Sequence, residues 1–290
     1  MSTPLVTIGM PVYNGSRFIR YAIDSVLKQT YTNFELIITD DGSTDDTVEI
    51  VKQYKDNRIQ LISDSQNKGI SYRLNQLIDL AKGLYFMRMD ADDLMFPNRV
   101  EKQVCFLQSH SHVDVVGSKA VIIDDNHHII GERGSIKENI AIEDLFLSTR
   151  FMHPTVAGRT EWFKKWKYRD LYSGCEDYDL WIRSFKSSCF ADMDECLLFY
   201  RDPLVFKLKT YLFRQQRLLE CVWNLKNESQ HGYYLFFRII LKSMVSSVAA
   251  IVLHILHADA LFMKRRNKEI AHNIDYYNTY LKKFALNKDC

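Results

Sequence analysis

An α/β fold with a mostly parallel central sheet is what this 290-residue sequence predicts. Three observations carry that expectation. In the first hundred residues, short β-branched apolar runs alternate with segments of helical spacing. The connections between them are short, as in consecutive βαβ units. Three of the apolar runs end in polar clusters, where open α/β sheets bind ligands beyond the strand ends.

Taken in order, Leu5–Met10 reads as a buried strand ending at the turn Pro11-Val12-Tyr13-Asn14-Gly15. Phe18, Tyr21, Ala22, Ser25, Val26 and Gln29 then follow helical spacing. Phe34–Thr39 is a second strand, stopped by Asp40-Asp41-Gly42-Ser43, with Thr44 and Asp45 able to cap the next helix. Arg58–Ile62 is a third strand. Asn67-Lys68-Gly69 precedes a helix from Ser71 to Ala81 that Gly83 ends, and Leu84–Met89 is a fourth strand.

Further along, Pro97–Ser109 reads as a helix. Val113–Gly117, Ala120–Asp124 and His128–Gly131 read as shorter strands, and Glu138–Leu147 as a helix. After Arg159 the pattern is irregular until the helix start at Glu176-Asp177, and Glu195–Tyr200 is a last strand.

Bulk properties narrow the function classes. The net charge is only +2, which argues against a nucleic-acid or other polyanion binder. That total hides an asymmetry: from Arg201 onward there are 15 Lys+Arg against 7 Asp+Glu, while the first 200 residues hold 23 against 29. The alternating pattern stops at the same place. The expected division is therefore an α/β body, 1–202, and a basic helical extension, 203–290. The six cysteines have no CxxC or zinc-ligand spacing, as expected of reduced thiols in a cytosolic protein. MSTPLVTIGMPVYNG lacks the basic and apolar regions of a secretory signal.

Within the extension, the uncharged run between Lys242 and Asp259 is 16 residues, short of the roughly 20 needed to span a bilayer. Arg238, Lys242 and Lys264-Arg265-Arg266 flank it. Two readings stay open: a helix lying on an anionic membrane surface, and a helical hairpin packed on the body.

The chemistry-bearing residues cluster at the strand ends. Asp90 and Asp92, one residue apart, suit a hard divalent ion such as Mn²⁺ or Mg²⁺. The plainer alternative is that Asp92 or Asp93 caps the helix after Pro97. Tyr13 can fill a turn, Asp40 and Asp41 can make Asx turns, and Glu176 and Asp177 can be acids favoured by a helix dipole. Arg73 could reach a phosphate or lie on a solvated helix face.

The runs MPVYNG, TDDGSTDDT, NKG, RMDADD, FMHPT and EDYDLW, in that order over residues 5–200, resemble the family 2 glycosyltransferases with the GT-A fold. The resemblance implies a nucleotide-diphosphate sugar, of the UDP type, laid across the strand ends. Pro11, Tyr13 and Asn14 would border the base, with the Tyr13 ring stacked on it. Asp41 would read the uracil and ribose, and Asp90 would sit near the ribose. Asp92 would hold the metal that bridges the phosphates. His153 would line the site, Arg73 would approach the donor, and Asp177, supported by Glu176, would be the base. The implied reaction is inverting transfer of one sugar, because the QxxRW-type motif of processive members is missing from FRQQRLLECVW. The implied acceptor is a saccharide, carried on a polyprenyl diphosphate at the inner face of the plasma membrane, in capsule or O-antigen synthesis. The competing expectations are a non-catalytic nucleotide-sugar-binding module and a transferase acting on a soluble or protein acceptor.

Overall fold

The computed structural model describes residues 3–134, 136, 140–171, 174–202, 205–259 and 274–285. The beginning of the helix expected from Glu138, Ser173, the junction at Pro203 and the Lys264-Arg265-Arg266 run lie outside them.

Four strands in the first ninety residues pair in parallel: β1 (Val6–Val12), β2 (Phe34–Asp40), β3 (Ile59–Ser63) and β4 (Tyr85–Arg88), in the order β3-β2-β1-β4. Helices α1 (Ile19–Leu27), α2 (Thr47–Lys52) and α3 (Ile70–Leu80) connect them. Both faces of this sheet are covered. Leu36 and Ile38 join a core with Ile19, Ile23 and Val26 of α1, while the intervening Ile37 joins Leu74, Leu77 and Ile78 of α3 on the other face. Strands buried on both sides read as near-continuous apolar runs, which is why β1, β2 and β4 were visible in the sequence; the edge strand β3 is only half-buried.

Gly83 lies beyond the end of α3, where it makes room for β1. A Cβ there would come within 2.4 Å of the Thr7 backbone nitrogen. The helix ends instead when Ala81 turns to extended geometry.

Beyond β4 the sheet becomes mixed. β5 (Leu94–Met95) pairs antiparallel with β9 (Phe190–Arg201), and β6 (Val115–Ile123) runs parallel to β9. β7 (Ile129–Arg133) pairs antiparallel with β6, and β8 (Ala157–Arg159) sits antiparallel between β4 and β6. Three expectations are corrected here. Val113–Gly117 and Ala120–Asp124 belong to one strand, whose register shifts around the polar Ser118-Lys119 pair. The last strand is twice the expected length, because half-buried and exposed residues from Ala191 to Glu195 hid its start. The region after Arg159 is a helix, α6 (Thr160–Trp166), with Trp162 and Phe163 in the core.

Helix α4 (Arg99–Ser109) covers the same face as α1 through Val100, Val104 and Leu107. Helices α5 (Ile142–Leu147) and α7 (Glu176–Ser184) meet α8 (Leu208–Leu225) and α9 (Gly232–Ile255) in one apolar cluster that includes Phe146, Tyr178, Cys221, Val222, Leu235 and Ile239. The final helix, α10 (Ile274–Ala285), returns to the sheet. Its Tyr280 ring stacks on Phe96 and Phe199 at 5.7 Å each, and its hydroxyl donates to the Met95 carbonyl. Helices beyond residue 202 thus pack against elements of the preceding chain. The packed-hairpin reading describes one side of α9; on the other, Phe237, Leu241, Met244, Val245, Val248 and Ile255 face solvent. The helix has 24 residues, longer than the uncharged run suggested, and is long and apolar enough to cross a membrane by length and composition.

Candidate active site

Three chain turns meet at the carboxyl ends of β1, β2 and β4. The first is laced to the second. Asn14 and Ser16 donate backbone N–H groups to the Ser43 hydroxyl and the Asp45 carboxylate, and Thr44 N–H donates back to the Asn14 side chain. Asn14 holds a left-handed φ of 50°, which asparagine tolerates better than most residues. Pro11 lies within β1 but past the pairing with β4, which ends at Gly9, so its missing N–H costs no ladder bond on that side. This frame leaves Tyr13 53% exposed at the rim.

Asp40 turns inward to Ser43 N–H and the Ser63 hydroxyl, as the Asx-turn reading expects. Asp41 is held more fully. It accepts from the N–H groups of Lys68 and Gly69 at 2.8 and 3.0 Å and from Arg73 Nε at 2.9 Å. Gly42, at φ 77°, permits the close approach this needs, since a Cβ would stand 2.9 Å from the Gln66 backbone. Arg73 corrects an expectation. It is wholly buried rather than solvated, and its guanidinium is engaged by Asp41, Asp64, Gln76 and the Gln66 carbonyl. Its observed work is to position Asp41.

The third turn carries Asp90, Asp92 and Asp93, each offering an oxygen within 4.8 Å of the others'. The helix-capping alternative fails, because β5 intervenes and α4 starts only at Arg99. Asp93 is buried and accepts from Arg201 N–H at 2.8 Å; Asp90 is gripped by Arg88. Asp92 reaches solvent and, among the described residues, its carboxylate is bonded only to its own backbone N–H, although protein crowds around it. That desolvation and the Asp90 charge push its pKa up to about 6. Buried Arg201 fixes the Asp92 backbone by donating Nε–H to its carbonyl at 2.9 Å. An all-carboxylate set with one solvent-facing, unpaired member fits a hard divalent cation. Asp92 is the ligand such an ion would find free, with Asp90 beside it.

Glu176 and Asp177 open α7. Glu176 is buried and accepts from Gly174 N–H at 2.7 Å, whereas Asp177 is half-buried and accepts from Tyr178 N–H at 2.8 Å. Burial, with Glu176 adjoining, raises the Asp177 pKa to about 6. His153 is buried, bonded through Nε2 to the Tyr168 hydroxyl at 2.8 Å; burial and the charge of Arg88 hold its pKa well below the usual histidine value, so the ring is neutral.

Two residues join these groups. Arg88 is charge-coupled to Asp90, Asp93 and Glu176, and its charge also reaches Asp92 and Asp177. Tyr168 likewise feels Arg88, Asp177, Glu176 and Asp90. The strand-end carboxylates and the α7 pair thus lie within reach of one buried cation, Arg88. Sequence reading did not pick out Arg88, Tyr168 or Arg201. The first had a signal: a charge ending a wholly apolar strand, next to a carboxylate turn.

Residues 7–169 match the model of the family described as Glycosyl transferase family 2. The EpsE protein of Bacillus subtilis is 37% identical over 222 residues, covering 73% of this chain and 78% of its own. WbnJ, an O-antigen biosynthesis glycosyltransferase of Escherichia coli, is 33% identical over 211 residues, with 68% and 79% covered. Among solved structures, the mannosyltransferase PcManGT from Pyrobaculum calidifontis, in complex with GDP-mannose and Mn²⁺, superimposes with a TM-score of 0.62 at 16% identity, covering 98% of this chain and 85% of its own. That likeness shows the GT-A fold.

Proposed function

This chain belongs to glycosyl transferase family 2, and from that premise we propose that it is an inverting, metal-dependent transferase moving one sugar from a nucleotide-diphosphate sugar to a saccharide acceptor in surface-polysaccharide synthesis. The observation that carries the reading is the meeting of two carboxylate groups around Arg88, each with one member raised to about 6: Asp92 on the donor side and Asp177 on the other.

The donor lies across the strand ends, its base against the exposed Tyr13 ring and near Asp41, which the α3 start and Arg73 hold in place. Mn²⁺ or Mg²⁺ at Asp92 would supply positive charge to the leaving diphosphate. Asp177 accepts the acceptor hydroxyl's proton as that oxygen forms its bond to C1. The C1–oxygen bond to the diphosphate breaks on the opposite face, and the nucleoside diphosphate departs with the electron pair. One base and one displacement invert the anomeric centre. Glu176 is placed beside Asp177 to keep its proton affinity high enough for transfer near neutral pH. The neutral His153 ring packs against Tyr168 and Trp181 and walls this side of the cleft.

The acceptor is lipid-linked and the protein lies on the cytoplasmic membrane face. An open groove of about 1220 Å³ runs along α9, with apolar walls including Leu241, Val245 and Val252 and with Arg238 and Lys242 also on its lining. That chemistry suits an isoprenoid chain ending in a diphosphate. Because the buried face of α9 is packed on α5 and α8, the helix meets the bilayer lengthwise, with its exposed face in the interface.

A donor screen tests the whole reading. The full chain is mixed with UDP- and GDP-sugars, Mn²⁺ and polyprenyl-diphosphate saccharides, and nucleoside diphosphate release is followed. Release with one donor, abolished in Asp92→Asn and lost on chelation, is the expected result. Tight donor binding without release for any acceptor would make the chain a binding module instead.

A further inference from the structure

Arg88 ends β4 with its side chain almost wholly buried. Nη1 donates to Asp90 Oδ2 at 3.0 Å, and Nη2 pairs with Oδ1 at 2.7 Å. Such a two-pronged grip fixes a carboxylate's plane as well as its position. Nε is buried and without a partner among the described residues. Glu176 and Tyr168 act on its charge, and its charge acts on His153, whose Nε2 is bonded to the Tyr168 hydroxyl at 2.8 Å. A fixed cation between two groups of carboxylates is costly to bury unless both draw on it.

We propose that Arg88 is a positioning residue for both halves of the reaction: it sets the plane of Asp90 for the donor and supplies the cation that faces the Glu176–Asp177 pair. The second half rests on Asp177 being the base. The groups around Asp177 are Glu176 and Cys175 from α7 and its approach, Tyr168 from the preceding loop, Arg88 from β4 and Cys221 from α8; Arg214 and Arg217 of α8 face Cys175. Arg88 is the cation whose charge lowers the Asp177 pKa against burial and Glu176. Without it, two neighbouring carboxylates would share a buried site with less opposing charge, and protonation would persist to higher pH.

Arg88→Met and Arg88→Lys separate the two roles. The rate of nucleoside diphosphate release is measured from pH 5 to 9, and the affinity for UDP and for GDP, each with Mn²⁺, is measured by calorimetry. In Arg88→Met the acidic limb moves up by about one pH unit, which is about a tenfold loss below the limb and far less at pH 9; affinity for the nucleotide that binds the parent falls several-fold. Arg88→Lys keeps the charge but not the fork. Its acidic limb stays with the parent's while nucleotide affinity remains several-fold weaker. A uniform loss of rate at every pH in Arg88→Met, or unchanged nucleotide affinity in both variants, overturns the proposal. Should Arg88→Met fail to fold, Arg88→Lys decides: weaker nucleotide affinity with an unmoved limb supports it, and parental affinity overturns it. If the parent shows no acidic limb, Asp177 loses its role as base, and nucleotide affinity alone then judges the hold on Asp90.

Discussion

The two ends of the cleft treat their carboxylates in opposite ways. At the outer end, Asp45 and Asp41 are surrounded by donors. Burial pushes the Asp45 carboxyl up, but hydrogen bonds from Thr47 and Ser16 outweigh it and bring its pKa to about 2. At the centre, burial acts in the same direction on Asp92 and Asp177, and their nearest strong neighbours, Asp90 and Glu176, add to it; both rise to about 6. The same residue type is a structural tie in one place and, in the proposed reaction, a reactive group in the other. The difference lies in whether the surroundings offer donors or further negative charge.

The sharpest break in that contrast is Asp177→Asn. Removal of a general base is expected to lower the release rate about 10³-fold while leaving nucleotide affinity unchanged, read by kinetics and calorimetry on one preparation. Next is Arg73→Met at the outer end. It leaves buried Asp41 without its cation, whereas Asp64 keeps Lys68, and denaturant unfolding should show a loss of about 3–5 kcal/mol from the Asp41 pair. Third, the double change Phe237→Asp and Leu241→Asp on the exposed face of α9 should reduce flotation with anionic liposomes by more than tenfold. Each apolar side chain withdrawn from the interface is worth about 1.5–3 kcal/mol. Turnover of a water-soluble acceptor should survive the double change.

The smallest effect runs opposite to the largest. Because Asp177 has a folded-state pKa above its unfolded value, its ionisation in the fold costs stability. That cost is complete above pH 6 and fades as the pH falls toward the ordinary carboxylate range. Asp177→Asn should therefore stabilise the protein at pH 8, by about 1 kcal/mol after solvent screening of its half-open tip, and by little at pH 4. Thermal melts at the two pH values check the sign.

Legibility in the sequence followed the range of the contacts. β1 to β3 pair with neighbours in sequence, and β4 closes back on β1; short apolar runs between turn signals announced all four. β5, two residues long, exists only because β9 lies beside it, a hundred residues later; Asp93 is tied to Arg201 across the same gap. No local pattern encodes such a pairing. The motif residues Tyr13, Asp41, Asp92 and Asp177 were visible as polar clusters at element ends. Arg73 was visible but misjudged, because its helix spacing said nothing of the buried acids waiting for it. Arg88 and Arg201 stood among apolar neighbours and acquire meaning only when α7 and the Asp90 turn converge on them.

The most direct test of the central claim is the pH dependence of nucleoside diphosphate release under saturating donor. The account predicts that the parent chain loses activity on an acidic limb near pH 6 and that the residual rate of Asp177→Asn lacks this limb. An Asp177→Asn variant that keeps both the parent's rate and its acidic limb would contradict it.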